Sequence, residues 1–130
     1  MHPTEVPFDV RPEPLAMCRL DAAAGVPAWA FTGDGFWTVS RRDDELSVMG
    51  PAGAIPAAAA PDGPWRALQL RGPMDLSIVG VAAAFTAPLA AAGIPVMPVA
   101  TWDTDVVLVR ARDLPAAVAA LREAGFTVHE

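Results

Sequence analysis

Three aspartates carry most of the reactive chemistry in the second half of this chain: Asp75, Asp103 and Asp105. Two of them lie in Thr101-Trp102-Asp103-Thr104-Asp105, the only dense run of polar side chains in that half. Paired carboxylates can do acid–base work, but only beside groups that tune them. The sequence supplies few such groups. The imidazoles are His2 and His129, near the two ends, and there is no tyrosine. The one cysteine, Cys18, lies in an apolar run and reads as a buried thiol with no internal disulfide partner. No serine stands in a nucleophile-elbow context, and no metal-ligand spacing exists. Gly33-Asp34-Gly35 is too short for a dinucleotide fingerprint. A small enzyme using Asp103 and Asp105 is therefore the least supported reading, and no catalytic residue, metal or cofactor is assigned.

Asp75 offers different chemistry. It closes Arg71-Gly72-Pro73-Met74-Asp75, a strand end and glycine turn, and precedes an apolar run with helical spacing. It reads first as a helix N-cap. A helix N-terminus also suits a ligand carboxylate, while Asp75 or Asp105 could hold an ammonium or guanidinium. Trp102 has two readings, a cover for an aliphatic stem or cation and an anchor in a dimer contact.

The elements that must position these residues follow from pattern. Residues 1–14 carry prolines at 3, 7, 12 and 14 and are expected to form an extended arm with few ladder hydrogen bonds. Strands are expected over 15–20, 36–40 and 45–49, the last two joined by the charged turn 41–44. These make a partial unit over 15–50. Residues 51–64, rich in Pro, Gly and Ala, read as a mobile linker.

The remainder, 65–130, is regular. A strand over 65–71 leads to a helix over 76–92 capped by Asp75, kinked or weakened by Pro88 and stopped by Gly93. Strands over 96–101 and 104–110 form a hairpin. Asp113 is expected to cap a second helix over 114–124, Gly125 to stop it, and 126–129 to close the sheet. The order β-α-β-β-α-β is the ferredoxin-like arrangement, so the fold class is α+β.

Composition bounds the partners. The chain is 53% hydrophobic with a net charge of −6, and its nine basic residues are scattered, which argues against nucleic acid. No signal peptide and no run suited to crossing a membrane is read from the sequence, so a cytoplasmic protein is expected.

The run from Leu70 through Arg71-Gly72-Pro73-Met74-Asp75 to Gly80, then Ala87-Pro-Leu-Ala-Ala-Ala-Gly-Ile94, then Ala100-Thr-Trp-Asp-Thr-Asp-Val-Val-Leu-Val109, resembles an ACT domain. More closely, it is similar to small stand-alone ACT proteins related to aspartate kinase regulatory domains and to cytosolic arginine sensors of the CASTOR type. Ala28-Trp29, Phe36-Trp-Thr-Val-Ser40 and Asp44-Glu-Leu-Ser-Val48 resemble the first units of the same proteins, making 15–50 a partial, mostly β, ACT-like half.

The resemblance implies a non-catalytic sensor that binds an amino acid. By motif position it implies contacts from Gly72 and Asp75 in the turn, from Thr101, Trp102, Thr104 and Asp105 on the hairpin, and from Ser47 and Val48 on a facing strand. Each of these also has a plain structural reading, as turn, cap, hairpin or strand residue. A homodimer formed through sheet edges or helices, or another protein partner, is expected, because an open sheet leaves edges to protect. An assembly module with a vestigial pocket is the alternative.

Overall fold

The computed structural model describes residues 2–130, which contain eight strands and two α-helices. They form two compact units. One comprises the residues up to Pro12 together with Arg66–Glu130; the other is Glu13–Trp65. The boundary falls inside one strand, β5 (Asp62–Leu70).

The larger unit is the ferredoxin-like one. Its order after β5 is α1 (Val81–Ala91), β6 (Val96–Ala100), β7 (Asp105–Arg110), α2 (Leu114–Glu123) and β8 (Val128–His129). This is the expected β-α-β-β-α-β. One strand was not expected. Residues 8–10, placed by sequence in a loose arm, form β1 (Phe8–Val10), which pairs antiparallel with β5 and parallel with β8. The sheet runs β6-β7-β5-β1-β8. Pro7 and Pro12 flank β1 and leave its own N–H groups available, so the proline pattern permits a short strand here. Phe8 is fully buried and meets Phe85 and Phe126 edge-on, at centroid distances of 5.9 and 5.1 Å. The core joins Leu68, Leu70, Val107 and Val109 of the sheet to Val81, Phe85, Leu89, Val118 and Leu121 of the helices.

Both helices end in the same way. Gly93 and Gly125 take positive φ, and the next residue, Ile94 or Phe126, donates its N–H back to the carbonyl of Leu89 or Leu121 at 3.0 Å. This is the Schellman closure, in which each pair also meets within the core. The helix starts differ from expectation. α1 begins at Val81 rather than 76, with Gly80 at φ 85 as its N-cap, and α2 has no side-chain cap from Asp113. Pro88 is accommodated inside α1.

The smaller unit has no α-helix. Strands β2 (Leu15–Leu20), β3 (Thr38–Arg42) and β4 (Glu45–Pro51) run in the order β3-β4-β2, and the start of β5 pairs with β2. The β3–β4 turn is tighter than expected, because Arg41 and Arg42 are strand residues opposite Leu46 and Glu45. Residues 51–64, expected to be a mobile linker, are built into the unit. They form 3-10 turns at Ala52–Ala54 and Ala57–Ala59, bury Ile55 and start β5 at Asp62.

Candidate functional site

The hairpin tip between β6 and β7 is closed by its own threonines. Thr101 donates its N–H and its hydroxyl to the Thr104 carbonyl at 2.8 and 2.9 Å. Thr104 donates its N–H to Thr101 Oγ1 at 3.3 Å. The Thr104 hydroxyl donates at 2.7 Å to the carbonyl of Leu70, the last residue of β5. Thr104 is the one buried polar side chain among the described residues, and this bond satisfies it.

The glycine turn after β5 lies directly on this tip. Met74 donates its N–H to the Asp103 carbonyl at 2.8 Å. A Cβ on Gly72 would stand 3.0 Å from that same oxygen and 3.1 Å from Thr104 Cβ. Gly72 therefore serves close approach of two backbones, and it does not need positive φ. The two stretches singled out in the sequence, 71–75 and 101–105, thus meet within one unit.

Asp75 caps a turn rather than the helix. Its Oδ1 accepts from Ser77 N–H at 2.9 Å and from the Ser77 hydroxyl at 2.7 Å. These bonds hold its carboxyl below the ordinary carboxylate range, because each favours the charged form. α1 starts at Val81, after Gly80 at φ 85, with no side-chain acceptor on its first N–H groups. Asp75, Asp105, Gly80, Ala82 and Ala83 line one concavity of about 300 Å³. Two carboxylates and an uncapped helix start therefore share one hollow. Trp102, at the hairpin tip, is 85% exposed.

A second concavity, of about 330 Å³, lies against the same turn and is lined by Val6, Pro7, Arg71, Pro73 and Asp75. Beside it Arg71 makes a two-point contact with Asp9 of β1, donating from Nε to Oδ2 at 3.0 Å and from Nη2 to Oδ1 at 2.5 Å. The hydrogen bonds and charge of Arg71 hold the Asp9 carboxyl below its usual range. Sequence reasoning did not single out Asp9, Ser77 or the exposed Leu76 and Val79. The Asp-x-Ser spacing at 75–77 is a turn signal that could have identified Ser77.

Ser47 and Val48 belong to the smaller unit. Val48 is fully buried in its core with Cys18 and Leu46. Ser47 faces the other side of β4, where its hydroxyl donates to Glu45 Oε2 at 3.4 Å. There it lines a concavity of about 300 Å³ with Arg19, Glu45 and Asp62. Burial pushes the Cys18 thiol pKa up. Among the described residues no group of three or more His, Cys, Asp or Glu is gathered as a metal site. No helix there is long and apolar enough to cross a membrane.

Comparison with known proteins bears on the family and the fold. A family model described as an ACT domain matches residues 61–123. A second, described as an N-terminal domain, matches residues 13–58. Among solved structures, the Agobacterium tumefaciens protein Atu0741 is 31% identical, with 96% of each chain covered and a TM-score of 0.87. A Vibrio cholerae protein, VC0802, described as a possible transport protein, is 20% identical over 95% of this chain and 93% of its own, with a TM-score of 0.75. The regulatory subunit of aspartate kinase from Thermus flavus is 14% identical over 91% of this chain and 96% of its own, at 0.60. The last two show likeness of fold. No curated protein matches the sequence.

Proposed function

The chain belongs to the family of small ACT-domain proteins, and from that premise we propose that it is a non-catalytic regulatory protein whose ligand is a free amino acid. The observation that carries this reading is the hollow shared by Asp75, Asp105 and the uncapped start of α1. An amino acid is a zwitterion. Its carboxylate matches the first-turn N–H groups and the positive end of the helix dipole. Its ammonium matches a carboxylate, by a charge-assisted hydrogen bond. Asp75 uses Oδ1 for Ser77, so Oδ2 is the oxygen offered to the ligand. Gly72, Thr101 and Thr104 build the site by fixing the turn on the hairpin tip. Trp102 is the residue free to close over a bound side chain.

Ligand occupancy would regulate by stabilising one arrangement of turn and tip, and only to the extent that the ligand prefers that arrangement. The test is thermal denaturation of the full chain with each of the twenty amino acids. A ligand at a hundredfold excess over its Kd stabilises the fold by about 2.7 kcal/mol, a shift of several degrees. Asp75→Asn and Asp105→Asn should each remove most of the response, and Ser47→Ala tells whether β4 takes part. A folded protein that no amino acid stabilises would sink the proposal. A response untouched by both Asn variants would favour an assembly module in its place.

A further inference from the structure

The two helices of the larger unit run in opposite directions. α1 leaves the end where the glycine turn meets the hairpin tip, and α2 returns toward it from the far end of β7. A concavity of about 330 Å³ is lined by Pro88, Ala91 and Ala92 of α1 and by Ala120, Glu123 and Ala124 of α2. Each set has the i, i+3, i+4 spacing that puts side chains on one helix face. Five of the six are alanine or proline, too small to close the space between the faces, whereas Phe85, Leu89 and Leu121 fill the core beneath. Because the helices are antiparallel, Ala91 and Ala92 stand toward one end of the hollow and Glu123 and Ala124 toward the other, with Pro88 and Ala120 between.

Both ends accept hydrogen bonds. After α1, the N–H groups of Ala92, Gly93 and Ile94 go to the carbonyls of Pro88, Ala90 and Leu89. Pro95, four residues beyond Ala91, has no N–H to give. The Ala91 carbonyl is thereby left without its helical donor at the negative pole of the helix, and no basic residue occupies the last turn of α1. After α2, the N–H groups of Ala124, Gly125 and Phe126 go to Ala120, Arg122 and Leu121. Glu123 then adds a carboxylate at a pole where a cation is the favoured charge. Its neighbour Arg122 turns elsewhere, to the Val128 carbonyl at 2.6 Å and to Glu130 at 3.4 Å. None of the residues that line the hollow is basic.

We propose that this hollow binds a linear aliphatic polyamine, a chain with an ammonium at each end and methylenes between. An ammonium carries three donors, and it meets a free carbonyl at the α1 end and a carboxylate at the α2 end. The methylenes lie on the proline and alanine walls, where apolar area leaves water. The chemistry of the lining selects against other occupants. An anion would face the negative pole of a helix at either end. A hard metal ion would find one carboxylate and walls of methyl and methylene groups in place of the six or so oxygens it prefers, roughly. An amino acid would bring its own carboxylate to one of two accepting ends. The volume is at the small end of the range for ligand pockets, which suits a slender chain. The hollow shares no lining residue with the one that holds Asp75 and Asp105, so it stands whether or not an amino acid binds there.

Titration of the full chain with spermidine, followed by amide chemical shifts at physiological ionic strength, tests it. The shifts should concentrate at Ala91, Ala92, Glu123 and Ala124. Butylamine, with one ammonium, should bind about tenfold more weakly, because it loses one charged end. Glu123→Gln should weaken spermidine about tenfold. Ala91→Lys, which supplies an ammonium of the chain's own at the α1 end, should do the same. Lysine is a good helix former and favourable in a last turn, so the helix survives the change. Two controls should bind as the parent does: Asp43→Asn, which removes one exposed charge from the other unit, and Asp75→Asn, which alters only the other hollow. Shifts scattered over the acidic surface would overturn the proposal, as would butylamine binding as well as spermidine. A Glu123→Gln effect no larger than that of Asp43→Asn would overturn it too. Should the helix variants unfold, the wild-type comparison of the two amines decides.

Discussion

The two units cover their sheets by different means, and the difference decides where a helix start can present its N–H groups. The larger unit lays α1 and α2 over its strands, with Phe85, Leu89, Val118 and Leu121 reaching into the core. The smaller unit has no α-helix and uses rings. Trp37 packs beside Trp29 and Phe31, at centroid distances of 6.4 and 6.0 Å, over a core of Ala16, Cys18, Leu46, Val48 and Ile55. Phe31 sits at φ 63, a conformation rare for a bulky residue. Helical cover brings with it a helix start, and hence backbone N–H donors aimed at one point. Ring cover brings none. The Trp37 indole N–H is itself buried with no hydrogen-bond partner among the described residues. The uncapped helix start and the Asp75 and Asp105 carboxylates accordingly coincide in the helical unit.

The sharpest way to break this contrast is at Gly50. The register that sets Thr38 opposite Met49 carries Trp37 over Gly50, and a Cβ there would stand 2.2 Å from the Trp37 ring. Gly50→Ala must therefore displace the ring, at an overpacking cost of about 3 kcal/mol. Urea denaturation followed by tryptophan fluorescence measures it. Trp37→Leu in the same background should recover part of the loss. A neutral Gly50→Ala would mean that the ring does not hold this cover in place.

The matching change in the helical unit is smaller. Thr104→Val keeps the shape of the side chain and removes the hydroxyl that donates to the Leu70 carbonyl. Losing that buried hydrogen bond costs about 1 kcal/mol. Thr104→Ser, which keeps the bond, should cost less. Both variants should retain the α-helical circular dichroism signal, because the lesion lies at the hairpin tip. If Thr104→Val were as stable as the parent, the tip and the turn would be held by Gly72 packing and the Met74 bond alone.

The same contrast accounts for what could be read in advance. The helical unit was legible because its signals are local: alternation in β5 and β7, helical spacing in α1 and α2, and Gly93 and Gly125 at their ends. The ring-covered unit showed its strands but not its closure. Residues 51–64 have the composition of a linker, yet one buried side chain, Ile55, and two 3-10 turns fix them. β1 was missed because prolines near both its ends mask a three-residue strand that is held by distant partners. At the site, the meeting of turn and tip could be anticipated from motif position. The bond from Thr104 to Leu70 could not, since it spans 34 residues and no spacing rule reaches so far. The late start of α1 was hidden for a local reason: Asp75 has the right type for a cap and bonds the Ser77 N–H as a cap would, but Gly80 at φ 85 interrupts the run before Val81.

The smallest effect tests what holds β1 in the helical unit. Phe8 is enclosed by Phe85 and Phe126, whereas Asp9 and Arg71 form their two-point ion pair in a half-exposed setting. Packing should dominate, because exposed pairs contribute about 0–1 kcal/mol. The Asp9 carboxyl is held below its ordinary value of 3.8, chiefly by the Arg71 hydrogen bonds. Its contribution is therefore fully present above that value and is lost as pH falls through the lower folded value. Asp9→Asn should cost about 0.5 kcal/mol at neutral pH in dilute buffer. The gap from wild type should shrink in high salt and close in acid, where both chains lack the charge. Urea titrations at neutral and acidic pH measure it. A gap that stays open in acid would show that the Asp9 side chain supports β1 by packing or hydrogen bonding rather than by charge.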